Sequence, residues 1–264
     1  MKKTVLMAII PVFIITSTLM GKTMAGPLAT WSAVDWGTVD SEIDDRLNSM
    51  SGKGRSANEN LDVSTGVSME IPADTLRKVA GKNLTLAFHT GEGIAISTSG
   101  KELKSVERDL NIMITDGEET ALKDACQRIV EGALYSKMFA MEEKAAYDIH
   151  LNIHFSVGQE YAGKYANLYH YDEQKEQMVC DGSFVVTDGG MAMFSLSRGD
   201  EYLLTVTENL PVGGKLGYTV VSGDNLSKIA ARNKVSVKEI LAANPKIENA
   251  DMIFAGQKIT IMKM

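Results

Sequence analysis

The chain has 264 residues, a formal net charge of −7, 44 % hydrophobic and 23 % charged residues, and two cysteines. That length allows one or two domains, and so few cysteines exclude a disulfide scaffold. The charge is uneven: residues 215–264 carry eight Lys/Arg against four Asp/Glu, whereas residues 1–214 carry nineteen against thirty. So acidic a body argues against nucleic acid, and no nucleic-acid partner is expected.

Met1-Lys2-Lys3 leads into the apolar run Thr4–Met20, and Thr23-Met24-Ala25 precedes Gly26. A basic start, an apolar stretch and a small-residue end make a secretory signal peptide over residues 1–25. The rival reading is an uncleaved anchor, because about seventeen apolar residues lie near the lower limit for spanning a bilayer. That segment is the only expected membrane contact. Residues 26–63 are polar and poor in aliphatics, and read as an N-terminal segment or linker. Within them Trp31 and Trp36 anchor a loop or short helix, and the acids Asp40, Glu42, Asp44 and Asp45 form a solvated face.

From Val67 the texture changes, and residues 64–208 are expected to form an antiparallel, sandwich-like β-rich domain with short helices, so that the whole chain is α+β. Val67, Met69 and Ile71 alternate as a strand; Pro72 and Asp74 start a short helix that Gly81 ends. Strands follow at 84–88, 93–97 and 110–115, and Leu122, Cys126, Ile129 and Val130 have helical spacing. Residues 147–157 alternate, with Ile149, Leu151, Ile153 and Phe155 on one face and Asp148, His150, Asn152 and His154 on an exposed one. Further strands are predicted at 165–171, 177–187, 191–196 and 202–207, and residues 209–217 are a linker.

This middle region offers little chemistry. His150 and His154 stand four residues apart on a strand, roughly 13 Å between Cα atoms, too far to share one ion. No metal or cofactor is expected. Cys126 and Cys180 form either a bridge or, as favoured here, two separate buried thiols; neither begins a helix after a polar turn, where a thiolate is stabilised.

The last fifty residues are more informative. Tyr218–Val221 is β-branched and reads as a strand that Ser222-Gly223 breaks; Asp224 is placed to cap a helix whose inner face is Leu226, Ile229 and Ala230. Asn233 ends that helix in a left-handed conformation. Ser236 and Glu239 form a capping box for a second helix carrying Val237, Ile240 and Leu241, and Pro245 stops it near Asn244. Gly256 turns the chain into a last strand, Lys258–Ile261. The predicted order is strand, helix, helix, strand, with both helices on one face.

The motifs Tyr218-Thr219-Val220, Ser222-Gly223-Asp224, Ile229-Ala230, Val235-Ser236, Asn244-Pro245 and Gly256-Gln257 resemble the lysin motif (LysM), a small βααβ module, over residues 218–262. Asn225 stands where Thr is usual in that family, and Ala255 where Pro is usual. The resemblance implies binding of N-acetylglucosamine-containing glycans, peptidoglycan or chitin, in a shallow groove between two loops. Carried onto this chain, the glycan-binding residues are Gly223, Asp224, Asn225, Leu226, Asn244, Pro245, Lys246 and Ile247. Backbone groups of the loops would meet the acetamido sugar's polar groups while Leu226 and Ile247 face its methyl or ring. Parts of the middle region, 163–172, 181–186, 194–196 and 200–204, are similar to uncharacterised β-rich modules in Gram-positive surface proteins, and no activity comes with that likeness.

Together these features read as an exported, cell-wall-associated protein that is not an enzyme. A peptidoglycan hydrolase with its catalytic site in the middle domain, and a surface adhesin, are the alternatives.

Overall fold

Two stacked β-sheets organise the molecule, and the tail belongs to one of them. The computed structural model describes residues 34–51, 59–64, 70–91, 93–116 and 126–264. The signal segment, Trp31, Val67, Met69 and Leu122 lie outside the described residues.

One sheet has five strands in the order β1 (Glu59–Ser64), β3 (Leu84–Gly91), β4 (Ile94–Ser99), β8 (Ala146–Ser156) and β11 (Met191–Arg198). The other runs β6 (Ile114–Asp116), β7 (Tyr135–Met141), β12 (Glu201–Thr207), β9 (Tyr165–Asp172), β10 (Gln177–Val185), β13 (Lys215–Thr219) and β14 (Lys258–Met262). A small third pair joins β2 (Glu70–Ile71) to β5 (Leu110–Asn111). Pairing is antiparallel except for β1 with β3 and β10 with β13.

Aromatic side chains join the two layers. Phe139 of β7 meets Phe155 of β8 with ring centroids 5.2 Å apart, and Phe184 of β10 meets Phe194 of β11 at 6.5 Å. Such pairs contribute beyond the area they bury, and they fix the face-to-face spacing of the sheets. Strand β8 shows the expected alternation, with Ile149, Leu151, Ile153 and Phe155 facing this core. The central strand β12 is apolar on both faces: Leu204 enters the inter-sheet core, and Leu203 packs outward under Cys126 and Tyr169. The helical residues 126–131 cover that outer patch.

The described residues 34–51 and 59–63, expected as part of a polar segment or linker, belong to the folded body. Helix α1 (Trp36–Ser51) inserts Ile43 with no exposed surface, and Leu61 and Val63 of β1 are also core residues. The acids of α1 are structural as well: Asp40 accepts from Thr75 Oγ1 at 2.8 Å and Asp44 from Lys78 Nζ at 2.8 Å, which fastens α1 to α2 (Ala73–Val79). Trp36 lies against Phe88, with centroids 6.3 Å apart. The helix carries few aliphatics because one face alone is buried, so composition read it as solvated.

His154 is a second departure. It is 8 % exposed, with Nε2 2.8 Å from Ser97 Oγ, whereas His150 on the same face is exposed as expected. The strand register sets the small Ala95 opposite it, and Ser97 bonds its ring. Both cysteines are free, Cys126 buried and Cys180 half-buried, and the Cys126 thiol lies 3.7 Å from Met178 Sδ.

Two tests follow. Ile43→Ala should cost about 2–4 kcal/mol in urea unfolding, the range for emptying a core aliphatic site; a loss near zero would restore the linker reading. Burial first, and the charge of His89 second, lower the pKa of His154 from 6.5 to about 4. Its folded form therefore resists protonation that the unfolded chain accepts, so stability is complete above pH 6.5 and falls as pH drops toward 4. At 1.36 kcal/mol per unit the loss approaches ~3 kcal/mol. His154→Gln should flatten that part of the pH profile.

Candidate functional site

The tail folds through local polar devices around a small core of Leu216, Val220, Leu226, Ile229, Ile240, Ile259 and Ile261. Its helices are α3 (Leu226–Asn233) and α4 (Val237–Ala243), so the predicted order strand, helix, helix, strand holds. Strand β13 pairs antiparallel with β14 from Lys215↔Met262 to Thr219↔Lys258.

Two of the predicted caps are displaced by one residue. Asn225, not Asp224, caps α3, its Oδ1 accepting from Lys228 N at 2.8 Å. At the other end Lys234, not Asn233, takes the left-handed conformation, with φ 53°. Asn233 is buried instead, where its amide donates to Ile229 O at 2.8 Å and its carbonyl accepts from Tyr165 Oη at 3.2 Å. The capping box of Ser236 and Glu239 forms as predicted, and α4 stops at Asn244 ahead of Pro245.

Asp224 holds the first turn together. Its carboxylate accepts from Tyr218 Oη at 2.6 Å and Val221 N at 3.0 Å, and pairs with Arg232. Burial disfavours its charge, but these hydrogen bonds and the guanidinium outweigh burial and hold its pKa below the ordinary value. Gly223 takes φ +89°, a conformation that penalises any residue with a Cβ, and its carbonyl accepts from Lys228 Nζ at 2.9 Å.

Asn244 has a similar bracing role. Its amide donates to Ile240 O at 2.7 Å and to Thr260 O at 2.6 Å, and its carbonyl accepts from Thr260 N at 2.8 Å. The side chain thereby closes part of the outer edge of β14, the terminal strand of its sheet. Leu226 is 2 % exposed and belongs to the core, so it cannot face a ligand.

An open groove of about 440 Å³ is lined by Lys246, Ile247, Glu248, Asn249, Met252, Phe254 and Gln257. The structure thus brings the predicted Lys246 and Ile247 into one concavity, with Pro245 exposed beside them. Residues 223–226 do not line it. They approach through the backbone: Val220 N donates to Gln257 O at 2.9 Å and Gly256 N to Val220 O at 2.8 Å, which sets the 221–225 turn beside the groove's Gln257 wall.

Sequence reasoning missed Glu248, Asn249, Met252, Phe254 and Gln257. Phe254 is 65 % and Met252 59 % exposed, on an irregular stretch that carries no periodicity. The available signal was an aromatic two residues before the turn glycine Gly256, at a position that helical or strand patterning cannot assign.

Comparison with known proteins places this geometry in a class. Residues 218–261 match the LysM domain family, and this part of the chain is a LysM domain. More particularly, the tail is 41 % identical over 51 residues to an endolysin of Bacillus phage B103, a match covering 19 % of each chain. The chain is 46 % identical over 44 residues to a chlorophenol reductase of Desulfitobacterium hafniense, covering 17 % of this chain and 14 % of the relative. It is 42 % identical over 55 residues to a secreted LysM effector of Passalora fulva, covering 21 % of this chain and 24 % of the effector. The chain therefore spans less than a quarter of the length of these relatives.

Asn244→Ala should lower the unfolding free energy by about 2 kcal/mol, because it strands backbone groups of Ile240 and Thr260. An unchanged urea midpoint would return Asn244 to the role of ligand contact.

Proposed function

We propose that the protein is an exported, cell-wall-associated, non-catalytic binder of N-acetylglucosamine-containing glycan, held in the groove of residues 246–257 with the 223–226 turn as its neighbouring rim. The observation that carries this is Phe254 and Met252, left exposed on the rim of a LysM groove. An exposed ring of that size forgoes about 1.5–3 kcal/mol of burial, so an apolar partner is its physical counterpart. The face of an acetamido sugar supplies CH groups and a methyl for Phe254 and Met252. Its N–H, C=O and hydroxyls suit Gln257, Asn249 and the backbone of the two turns.

Three considerations support the rest of the reading. The matches to an endolysin and to a secreted effector each cover less than a quarter of the relative, which agrees with a binding module separable from whatever the rest of each relative does. Burial pushes both thiols, Cys126 and Cys180, up from the ordinary value, opposite to an activated nucleophile. The signal-like residues 1–25 and a module of the kind carried by a secreted effector agree with an extracellular, wall-bound place.

An exposed, shallow groove binds weakly, and retention on a wall then depends on many sites along the glycan. Phe254→Ala should weaken binding of chito-oligosaccharide by roughly fivefold in calorimetry, equivalent to about 1 kcal/mol for one aromatic contact, with an unchanged unfolding midpoint. Equal affinity in the variant would move the glycan off this groove. The purified chain should sediment with insoluble peptidoglycan and release no soluble fragments; release would favour the hydrolase.

A further inference from the structure

A second concavity, of about 660 Å³, lies where the tail meets the β-rich body. Arg128, Tyr169 and Cys180 line it from the body, and Val212, Lys215 and Met262 from the joint and tail. No Asp or Glu is among its lining residues, and neither Arg128 nor Lys215 has an ion-pair partner among the described residues. Among the described residues, the acids close by in sequence have other partners: Glu131 accepts from Gln127, Asp181 from His170, and Glu208 pairs with Lys164. Two cations with no ion-pair partner among the described residues, over a partly apolar floor, favour an anion attached to something apolar.

The backbone beside the pocket narrows the choice. Strand β10 pairs with β9 from Gln177 to Val185 apart from a bulge at Asp181, but on its other side it meets β13 at the single position Ser183↔Leu216. The segment Gln177–Cys180, which lines the pocket, therefore has no strand partner on that side among the described residues. An open edge of N–H and C=O groups accepts an extended peptide by strand addition, with side-chain pockets supplying selectivity. Val212, 71 % exposed, together with Met178 and Met262, offers room for small aliphatic side chains.

We propose that the open edge of β10 binds a short extended peptide whose carboxylate lies between Arg128 and Lys215, and that this peptide is the one covalently attached to the wall glycan. The inference rests on the glycan reading of the tail and deepens it. The two sites are compatible with one ligand: the pocket lies at the Lys215↔Met262 end of the β13–β14 pair and the groove beyond the Thr219↔Lys258 end. The run of β13 between those ends is four residue steps, roughly 13 Å. A peptide branching from a held sugar reaches the edge as an intramolecular contact, at an effective concentration far above that of free peptide.

The test uses the full chain and three probes in calorimetry: chito-oligosaccharide, a synthetic peptidoglycan disaccharide bearing its peptide, and the same peptide alone. The wild type should bind the peptide-bearing disaccharide about fivefold more tightly than chito-oligosaccharide of equal length, and free peptide more weakly than either. In Arg128→Ala/Lys215→Ala, two exposed positions, that preference should disappear while chito-oligosaccharide affinity stays unchanged. Added salt should erase the preference in the wild type but leave the chito-oligosaccharide affinity intact. A preference that survives the double substitution, or its absence from the wild type, overturns the peptide site and leaves the glycan groove standing. Failure of chito-oligosaccharide and disaccharide alike overturns both.

Discussion

The tail module does not hang from the body; it is hydrogen-bonded into it. Strand β13 must satisfy β14 on one side and β10 on the other, and the ladder Ser183↔Leu216 makes the tail pair the end of a seven-stranded sheet. Residues 209–217, read from sequence as a linker, are drawn into this arrangement: Leu210 and Leu216 are 1 % and 5 % exposed within the tail's core. Tyr165 of the body packs against that same core and bonds Asn233, while Lys234 Nζ donates to Asn209 Oδ1 at 2.7 Å. Residues Ser32–Met264 accordingly form one compact unit. The shared strand and these side-chain bonds fasten the tail to the body and set what lies on each side of it.

The tail was legible because its specification is local. A capping box three residues wide, a proline after a helix and a glycine before a strand each act over a single turn, and sequence displays such devices directly. Even there the side chains exchanged roles. Asp224 and Asn225 are both good caps, and propensity does not decide between them; the choice falls to Tyr218 and Arg232, which claim Asp224 from six and eight residues away. Asn244 was assigned to the ligand for its place in a loop, yet Thr260, sixteen residues on, claims both of its polar atoms.

The N-terminal stretch was illegible for the converse reason. Helix α1 buries Ile43 and half-buries Val39 and Leu47, and otherwise presents polar residues, so its mean composition is that of a solvated segment. Strand β1 lies at the edge of its sheet and pairs in parallel with β3, a partner more than twenty residues away, which no turn signal announces. The acids of α1 make sense only with Lys78 and Thr75 opposite. Contacts of this kind are tertiary, and a pattern confined to a short window cannot contain them.

The joint also bears on how a weak module can act selectively. A groove this open secures little affinity by itself, and a second contact adds to it only if its distance from the first is held fixed. A flexible linker would lose most of that advantage to the entropy of closing the loop. The shared sheet removes this loss, because the groove and the pocket sit beyond opposite ends of the same paired strands. Ordering of the bound ligand is then the main entropic cost that remains. On the proposed reading, selectivity between bare and peptide-bearing glycan would follow from one structural choice, the pairing of β10 with β13 at a single ladder position that leaves Gln177–Cys180 without a strand partner among the described residues.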